Sequence, residues 1–266
     1  LSAGAEEYLT KPVGLEALGA RARTMLRVKL LHDTIQEQAE QLADWNRKLE
    51  TRVKEQVAEV ERVGHLKQFF SPQIVDVLLA KDYQSLLASH RQEITAVFCD
   101  LRGFTAFSEA AAPEEVMDVL RDYQGSLGKL IFEFEGTLEH FAGDGLMVFF
   151  NDPQPCPDHE KQAVAMAMSM RMRMKESIAA WKQRGFDLNF GVGIASGTAT
   201  LGMTGFEGRN DYSAIGPVVN LASRLSDQAE GGQILITKRI MDKLDESVEV
   251  AAVGERAVKG FSQPVS

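Results

Sequence analysis

Between residues 28 and 63 apolar side chains recur at the two seam positions of a seven-residue repeat. Val28, Ile35, Leu42, Leu49, Gln56 and Val63 take one position, and His32, Ala39, Asn46, Val53 and Val60 take the other. Gln, Glu, Lys and Arg fill most of the remainder, with neither Gly nor Pro, which predicts a long helix with the narrow stripe of a parallel, dimeric coiled coil. Asn46 in the seam weakens the pairing and fixes its register. Before this run, residues 4–13 read as a short strand ending in Lys-Pro, and Leu15, Leu18, Ala22, Met25 and Leu26 carry helical spacing over 14–30. Gly64 predicts a break. Ser71 as N-cap and Pro72 at the first position then predict a helix over 72–80.

Farther on, the period changes. The β-branched run ITAVFC predicts a buried strand over 94–99. Two long helices follow, over 113–134 and 158–184, on either side of a strand pair around 137–150. Later strands are expected over 187–195, 212–215, 233–236 and 247–253, with a helix over 217–229. This alternation predicts an α/β fold, an α+β sandwich. Met166, Met168, Met170, Met172 and Met174 recur every two residues, which on a helix spreads the sulfurs over several faces. They read as core filler and packing surface.

Composition narrows the function classes. With 29 Lys and Arg against 38 Asp and Glu the net charge is −9, the wrong sign for a general nucleic-acid binder. Cys99 and Cys156 form no CxxC motif, so no disulfide framework is expected and a cytoplasmic setting fits. No apolar run reaches the roughly 18 residues of a membrane span. The chain begins at Leu1 and stops at Ser266 just after an expected strand, and it reads as part of something longer.

Two carboxylates sit where triphosphate chemistry would need them. Asp100 closes the strand ITAVFC, and Gly103, Phe104 and Thr105 after it bring backbone amides to a helix start suited to phosphates. Asp144 lies in the tight turn Ala142-Gly143-Asp144-Gly145 between two strands. Carboxylates on neighbouring strand ends can share a metal pair, the usual device for nucleotidyl transfer.

The segments FCDLRGFT (98–105), FAGD (141–144) and DYSAIGPVVNLASRL (211–225) resemble, in order and separation, the three signature blocks of class III adenylyl and guanylyl cyclases. The resemblance covers nearly all of residues 69–266. It implies a ferredoxin-like βαββαβ core behind a long dimeric coiled-coil helix, and a site shared by two head-to-tail catalytic domains. Asp100, Asp144 and the carbonyl of Leu101 would hold two divalent metal ions, Mg2+ or Mn2+. Asn220 would orient the ribose and Arg224 would stabilise charge on the attacked phosphate, the two lying one turn apart on one helix. Lys259 would contact the terminal phosphates. At the purine-reading positions this chain carries His140 and Ser213. Ser213 is similar to the Thr-type adenylyl cyclases, while His140 can serve adenine or guanine depending on tautomer, or pack across the strand instead. ATP is therefore the expected substrate and GTP the alternative. With one catalytic domain per chain, activity is expected of a homodimer.

Residues 4–30, with Lys11, resemble the last strand and helix of a response-regulator receiver domain, which implies control by an upstream histidine kinase. The expected organisation is a receiver remnant over 1–27, a coiled-coil linker over 28–65, a connecting helix over 66–90 and the catalytic domain over 91–266. Two other readings compete. A diguanylate cyclase would need a GG[DE]EF turn, which AGDGL (142–146) is not. A catalytically silent cyclase-like domain would be marked by loss of a metal aspartate or of the Asn/Arg pair, and all four residues are present.

Overall fold

The structure, a computed structural model, describes residues 14–66, 71–79, 88–206, 209–256, 259–261 and 264–265. The expected strand over 4–13, Lys11 included, lies outside the described residues. The chain divides between His65 and Leu66 into two units.

The first unit contains α1 (Leu15–Leu66), a single 52-residue helix covering both helical stretches expected there. The expected break at Gly64 does not occur. One helical glycine costs only about 1 kcal/mol, which an established helix carries through. Ile35, Leu42, Leu49, Val53 and Val60 are all exposed along α1.

The second unit is built on a curled, six-stranded sheet. Its elements are α2 (Pro72–Leu79), β1 (His90–Arg102), α3 (Phe104–Ala110), α4 (Pro113–Glu133), β2 (Thr137–Ala142), β3 (Gly145–Phe150), α5 (His159–Gln183), β4 (Asn189–Phe206), β5 (Arg209–Ile215), α6 (Pro217–Gln228), β6 (Ile234–Ile236) and α7 (Lys238–Met241). The order β2-β3-β1-β4 is that of a ferredoxin-like βαββαβ unit; β5 extends it, and β6 pairs in parallel with the start of β4. β1 pairs with β4 along its whole length, from His90↔Leu201 to Arg102↔Asn189.

Strand alternation sorts the core into two layers. Val97, Cys99 and Leu101 of β1, with Phe190, Val192 and Ile194 of β4, face α4 and α5. Ile94 and Ala96, with Ala195, Ala199 and Leu201, face Val218, Ala222 and Leu225 of α6 and Ile74 of α2. α4 starts at Pro113, where the Glu115 side chain accepts the Ala112 N–H at 3.2 Å and closes the first turn. On α5, Met166, Met170 and Met174 are fully buried, whereas Met168 and Met172 are exposed. The methionines thus divide into core and surface as their helical phase requires.

Two further expectations fail. Residues 247–253 form no strand; Val248, Val250 and Val253 instead wall a groove against Val164 and Met168 of α5 and Ile236 of β6. Ser71 begins α2 through its carbonyl, which accepts the N–H groups of Ile74 and Val75, but its hydroxyl is buried without a partner and caps nothing.

α6 lies unusually close to the sheet. A Cβ on Gly193 of β4 would stand 2.1 Å from the Ser226 nitrogen and 2.3 Å from the Ala222 oxygen, so helix and strand meet backbone to backbone. At the sheet's other dimension, curling brings β5 over β3. The Tyr212 hydroxyl donates to Asp152, just beyond β3, and the ring centroids of Phe149 and Tyr212 lie 6.3 Å apart.

Candidate active site

Asp100 lies near the end of β1, and Asp144 in the β2–β3 turn, where Gly143 takes φ 65°. That left-handed conformation favours glycine and lets so short a turn aim Asp144 back at β1. The two carboxyls lie close enough for Asp100 to shift the titration of Asp144. Burial first, then the neighbouring carboxyl of Asp100 and its like charge, push Asp144 up to about 6. Two acidic oxygens clusters held this close repel unless a proton or a cation lies between them. The donor set is all oxygen, which fits a hard divalent cation such as Mg2+ or Mn2+. The side chain of Leu101 is buried in the core, leaving only its backbone for the site.

Arg102 was not singled out by the sequence pattern, yet it organises this region. Its Nη1 donates to Asp100 Oδ2 at 2.7 Å, its Nε to the Ala229 carbonyl at 2.9 Å, and its Nη2 to the Ser226 carbonyl. The guanidinium passes over Gly191, where a Cβ would come within 2.9 Å of it. It therefore fixes one oxygen of Asp100 while gripping carbonyls at the C-terminal end of α6. No sequence signal shows this, because the acceptors are backbone groups more than 120 residues away, at separations of 124 and 127.

Gly103 has φ 84° and precedes α3; Phe104 is half-buried and Thr105 exposed. Asn220 and Arg224 project from one face of α6, both exposed. Neither makes a hydrogen bond or ion pair with Asp100 or Asp144 among the described residues; Arg224 Nη1 pairs with Asp227 at 3.0 Å instead. The structure thus joins the two aspartates and leaves the Asn/Arg pair apart from them. Lys259 is exposed in a turn of the C-terminal segment.

Of the purine-reading positions, His140 of β2 is exposed opposite Met147, and Ser213 of β5 is half-buried. Between them the chain places Glu139, which the sequence pattern passed over. The β2–β3 register slips between Leu138 and His140, so Glu139 is an extra residue in β2, a bulge. Burial raises its pKa, and its Oε2 is buried without a hydrogen-bond partner. A separate group, Glu93, His159 and Glu160, gathers three possible ligand atoms within 4.8 Å of one another near the other end of β1. Those groups already have protein partners: Arg239 holds Glu93, and Thr95 Oγ1 lies 2.7 Å from His159 Nδ1.

This sheet, with paired carboxylates at one strand end and an Asn/Arg helix packed on its other layer, has relatives of known class. Residues 86–265 match the adenylate and guanylate cyclase catalytic domain family, and the chain belongs to that family. An adenylate cyclase of Anabaena cylindrica is 31% identical over 184 residues, which is 67% of this chain and 37% of that protein. Adenylate cyclase 1 of Rhizobium meliloti is 30% identical over 178 residues, 66% of this chain and 27% of its own length. Among solved structures, the adenylyl cyclase CyaB of P. aeruginosa superposes with a TM-score of 0.65 at 38% identity, over 67% of this chain and 93% of that one. The guanylyl cyclase Cya2 does so with 0.63 at 35%, over 66% and 90%. This chain spans well under half the length of those curated relatives.

Proposed function

We propose that this chain is an adenylate cyclase, converting ATP to 3',5'-cyclic AMP and pyrophosphate in a homodimer. The observation that carries the reading is the close carboxyl pair Asp100–Asp144 at adjoining strand ends, with Asp144 pushed up to about 6 by burial and by its neighbour. Such a pair costs free energy in isolation and is relieved by a cation. The carboxylates and the Leu101 carbonyl would hold two divalent ions, Mg2+ or Mn2+. When bound, these supply neutralisation of the triphosphate and acidification of an attacking hydroxyl.

The reaction forms a bond from the ribose 3'-oxygen to the α-phosphorus and breaks the bond from that phosphorus to the bridging oxygen. Pyrophosphate leaves, and the 3'-hydroxyl proton passes to solvent. In this scheme Asn220 holds the ribose and Arg224 offers a planar fork of donors to the α-phosphate. Gly103, Phe104 and Thr105 present backbone amides to the phosphates, Lys259 meets their far end, and His140 and Ser213 face the purine. Because Asn220 and Arg224 do not reach the aspartates of their own chain, a second copy would complete each site. The exposed stripe on α1 supports pairing as a parallel coiled coil. In the same reading, a receiver domain before α1, addressed by a histidine kinase, governs the pairing of the helices in the cytoplasm. No helix among the described residues is long and apolar enough to cross a membrane.

The test is cyclic nucleotide production from ATP or GTP, each with magnesium and with manganese, by the protein and by its Asp100→Ala variant. Cyclic AMP from ATP, abolished in a folded Asp100→Ala, is the expected result. Cyclic GMP from GTP would keep the chemistry and transfer the chain to the guanylate cyclases. Full activity in Asp100→Ala would refute the site.

A further inference from the structure

Asp144 rides on a turn of two residues, and the orientation of one peptide group decides where its side chain points. Gly143 and Asp144 join β2 to β3, with Ala142 and Gly145 paired on either side of them. Gly143 has φ 65° whereas Asp144 has a negative φ, the combination of a type II′ turn. The peptide between them carries the Gly143 carbonyl and the Asp144 nitrogen. Turning that plane over gives the type I′ turn, in which both residues have positive φ, and it swings the Asp144 side chain to a new direction. Glycine accepts either state, and aspartate is among the few residues that tolerate positive φ, so the dipeptide alone leaves the alternative accessible.

A side chain outside the hairpin grips that peptide. Gln124 Nε2 of α4 donates to the Gly143 carbonyl at 3.2 Å. Turning the peptide over would point this carbonyl away from α4, so the bond belongs to the observed turn alone. The base from which Gln124 reaches is firm. Val119, Tyr123 and Leu127 of α4 are fully buried, and the Tyr123 ring packs edge-on to Phe190 of β4 with centroids 6.3 Å apart. The other flank of the turn stands against the partner carboxylate, for a Cβ on Gly145 would lie 3.9 Å from Asp100 Oδ1. We propose that Gln124 is a positioning residue that locks the central peptide of this turn and so holds Asp144 beside Asp100 for a divalent cation. Gln124 makes no hydrogen bond to either carboxylate among the described residues; it acts through the backbone. The inference rests on the reading of the two aspartates as metal ligands, and it adds a helix that supports the metal centre while supplying no ligand to it.

The experiment measures Mn2+ binding without nucleotide, from the loss of the free-ion paramagnetic resonance signal, in the protein, in Gln124→Met, in Gln124→Glu and in Asp144→Asn. Urea unfolding and the amide resonance of Asp144 in isotope-labelled protein are recorded on the same samples. Methionine keeps the length of the side chain and has no donor; glutamate keeps its shape and sets an acceptor against the carbonyl. Gln124→Met is expected to weaken Mn2+ binding about three- to tenfold, as the loss of one hydrogen bond warrants. Gln124→Glu should weaken it at least as much, and the Asp144 amide should shift or split in both variants. Turnover of Gln124→Met should fall at limiting Mn2+ and recover when Mn2+ saturates. Unchanged Mn2+ affinity in Gln124→Met overturns the proposal. So does a loss of stability that leaves the Asp144 amide in place, which would make Gln124 merely structural. Asp144→Asn separates this inference from the reading beneath it. Mn2+ bound as tightly by Asp144→Asn as by the protein removes the metal reading itself, whereas weak binding there with unchanged binding in Gln124→Met removes only the role of Gln124.

Discussion

Replacing Gly193 by alanine adds one methyl group where α6 and β4 touch. The strand conformation at Gly193 accepts any residue, so the whole cost comes from across the interface. The new Cβ would stand 2.1 Å from the Ser226 nitrogen, 2.3 Å from the Ala222 oxygen and 2.7 Å from the Leu225 carbonyl carbon. Ordinary contact begins near 3.4 Å, so α6 must back away by about 1 Å. The obstructing atoms are backbone, and no rotamer change relieves them. Overpacking of this kind costs about 1–3 kcal/mol, and the upper end applies here. The displaced helix carries Asn220 and Arg224, and a misplacement of about 1 Å costs roughly a hundredfold in rate when it falls on substrate-positioning groups. Urea unfolding followed by circular dichroism, with cyclic nucleotide production on the same sample, measures both effects. Wild-type stability together with wild-type turnover in Gly193→Ala would refute the backbone-to-backbone packing and the role given to α6.

Tyr212→Phe removes a donor from Asp152, which is buried; leaving that carboxylate oxygen short of a partner should cost about 1–3 kcal/mol in urea unfolding. His90 is held between two acceptors, the Ala88 carbonyl at 2.9 Å and Asp152 Oδ2 at 2.7 Å, and these, in that order, raise its pKa above 6.5. A histidine raised on folding stabilises in full below its unfolded value and loses that contribution as pH climbs through the folded one. The stability gap between the protein and His90→Gln should therefore be widest below pH 6.5 and should close as pH climbs through the raised folded value; a gap that widens with pH contradicts the assignment. Leu42→Glu with Leu49→Glu puts charges on the exposed stripe of α1, and sedimentation should show a shift from dimer towards monomer, with turnover per chain falling in step.

The long helices were legible almost to the residue, 113–134 against Pro113–Glu133 and 158–184 against His159–Gln183, because each keeps an amphipathic period over many turns. β4 was legible only in its first half. The expectation over 187–195 became Asn189–Phe206, since the Gly, Ser and Thr of its later part read locally as a loop and only pairing with β1 and β5 makes them a strand. The apolar alternation at 247–253 misled in the opposite direction, for valines that suit a strand found no neighbour to pair with. Asp100 and Asp144 were legible because turn chemistry and strand ends leave a local mark. Glu139 and Arg102 were not: a bulge is a property of two strands, and the carbonyls gripped by Arg102 belong to a helix far along the chain.

That grip has a consequence for the assembled enzyme. In the proposed two-fold dimer each chain would lend Asp100 to one reaction centre and α6 to the other, which would make Arg102 a strut connecting the two centres through a single side chain. In that assembly a pull on the Asp100 carboxylate when one centre fills would reach the helix that serves its twin. Crosstalk between the halves, whether one turn of catalysis primes or delays the next, would then run through a guanidinium that need never touch the nucleotide.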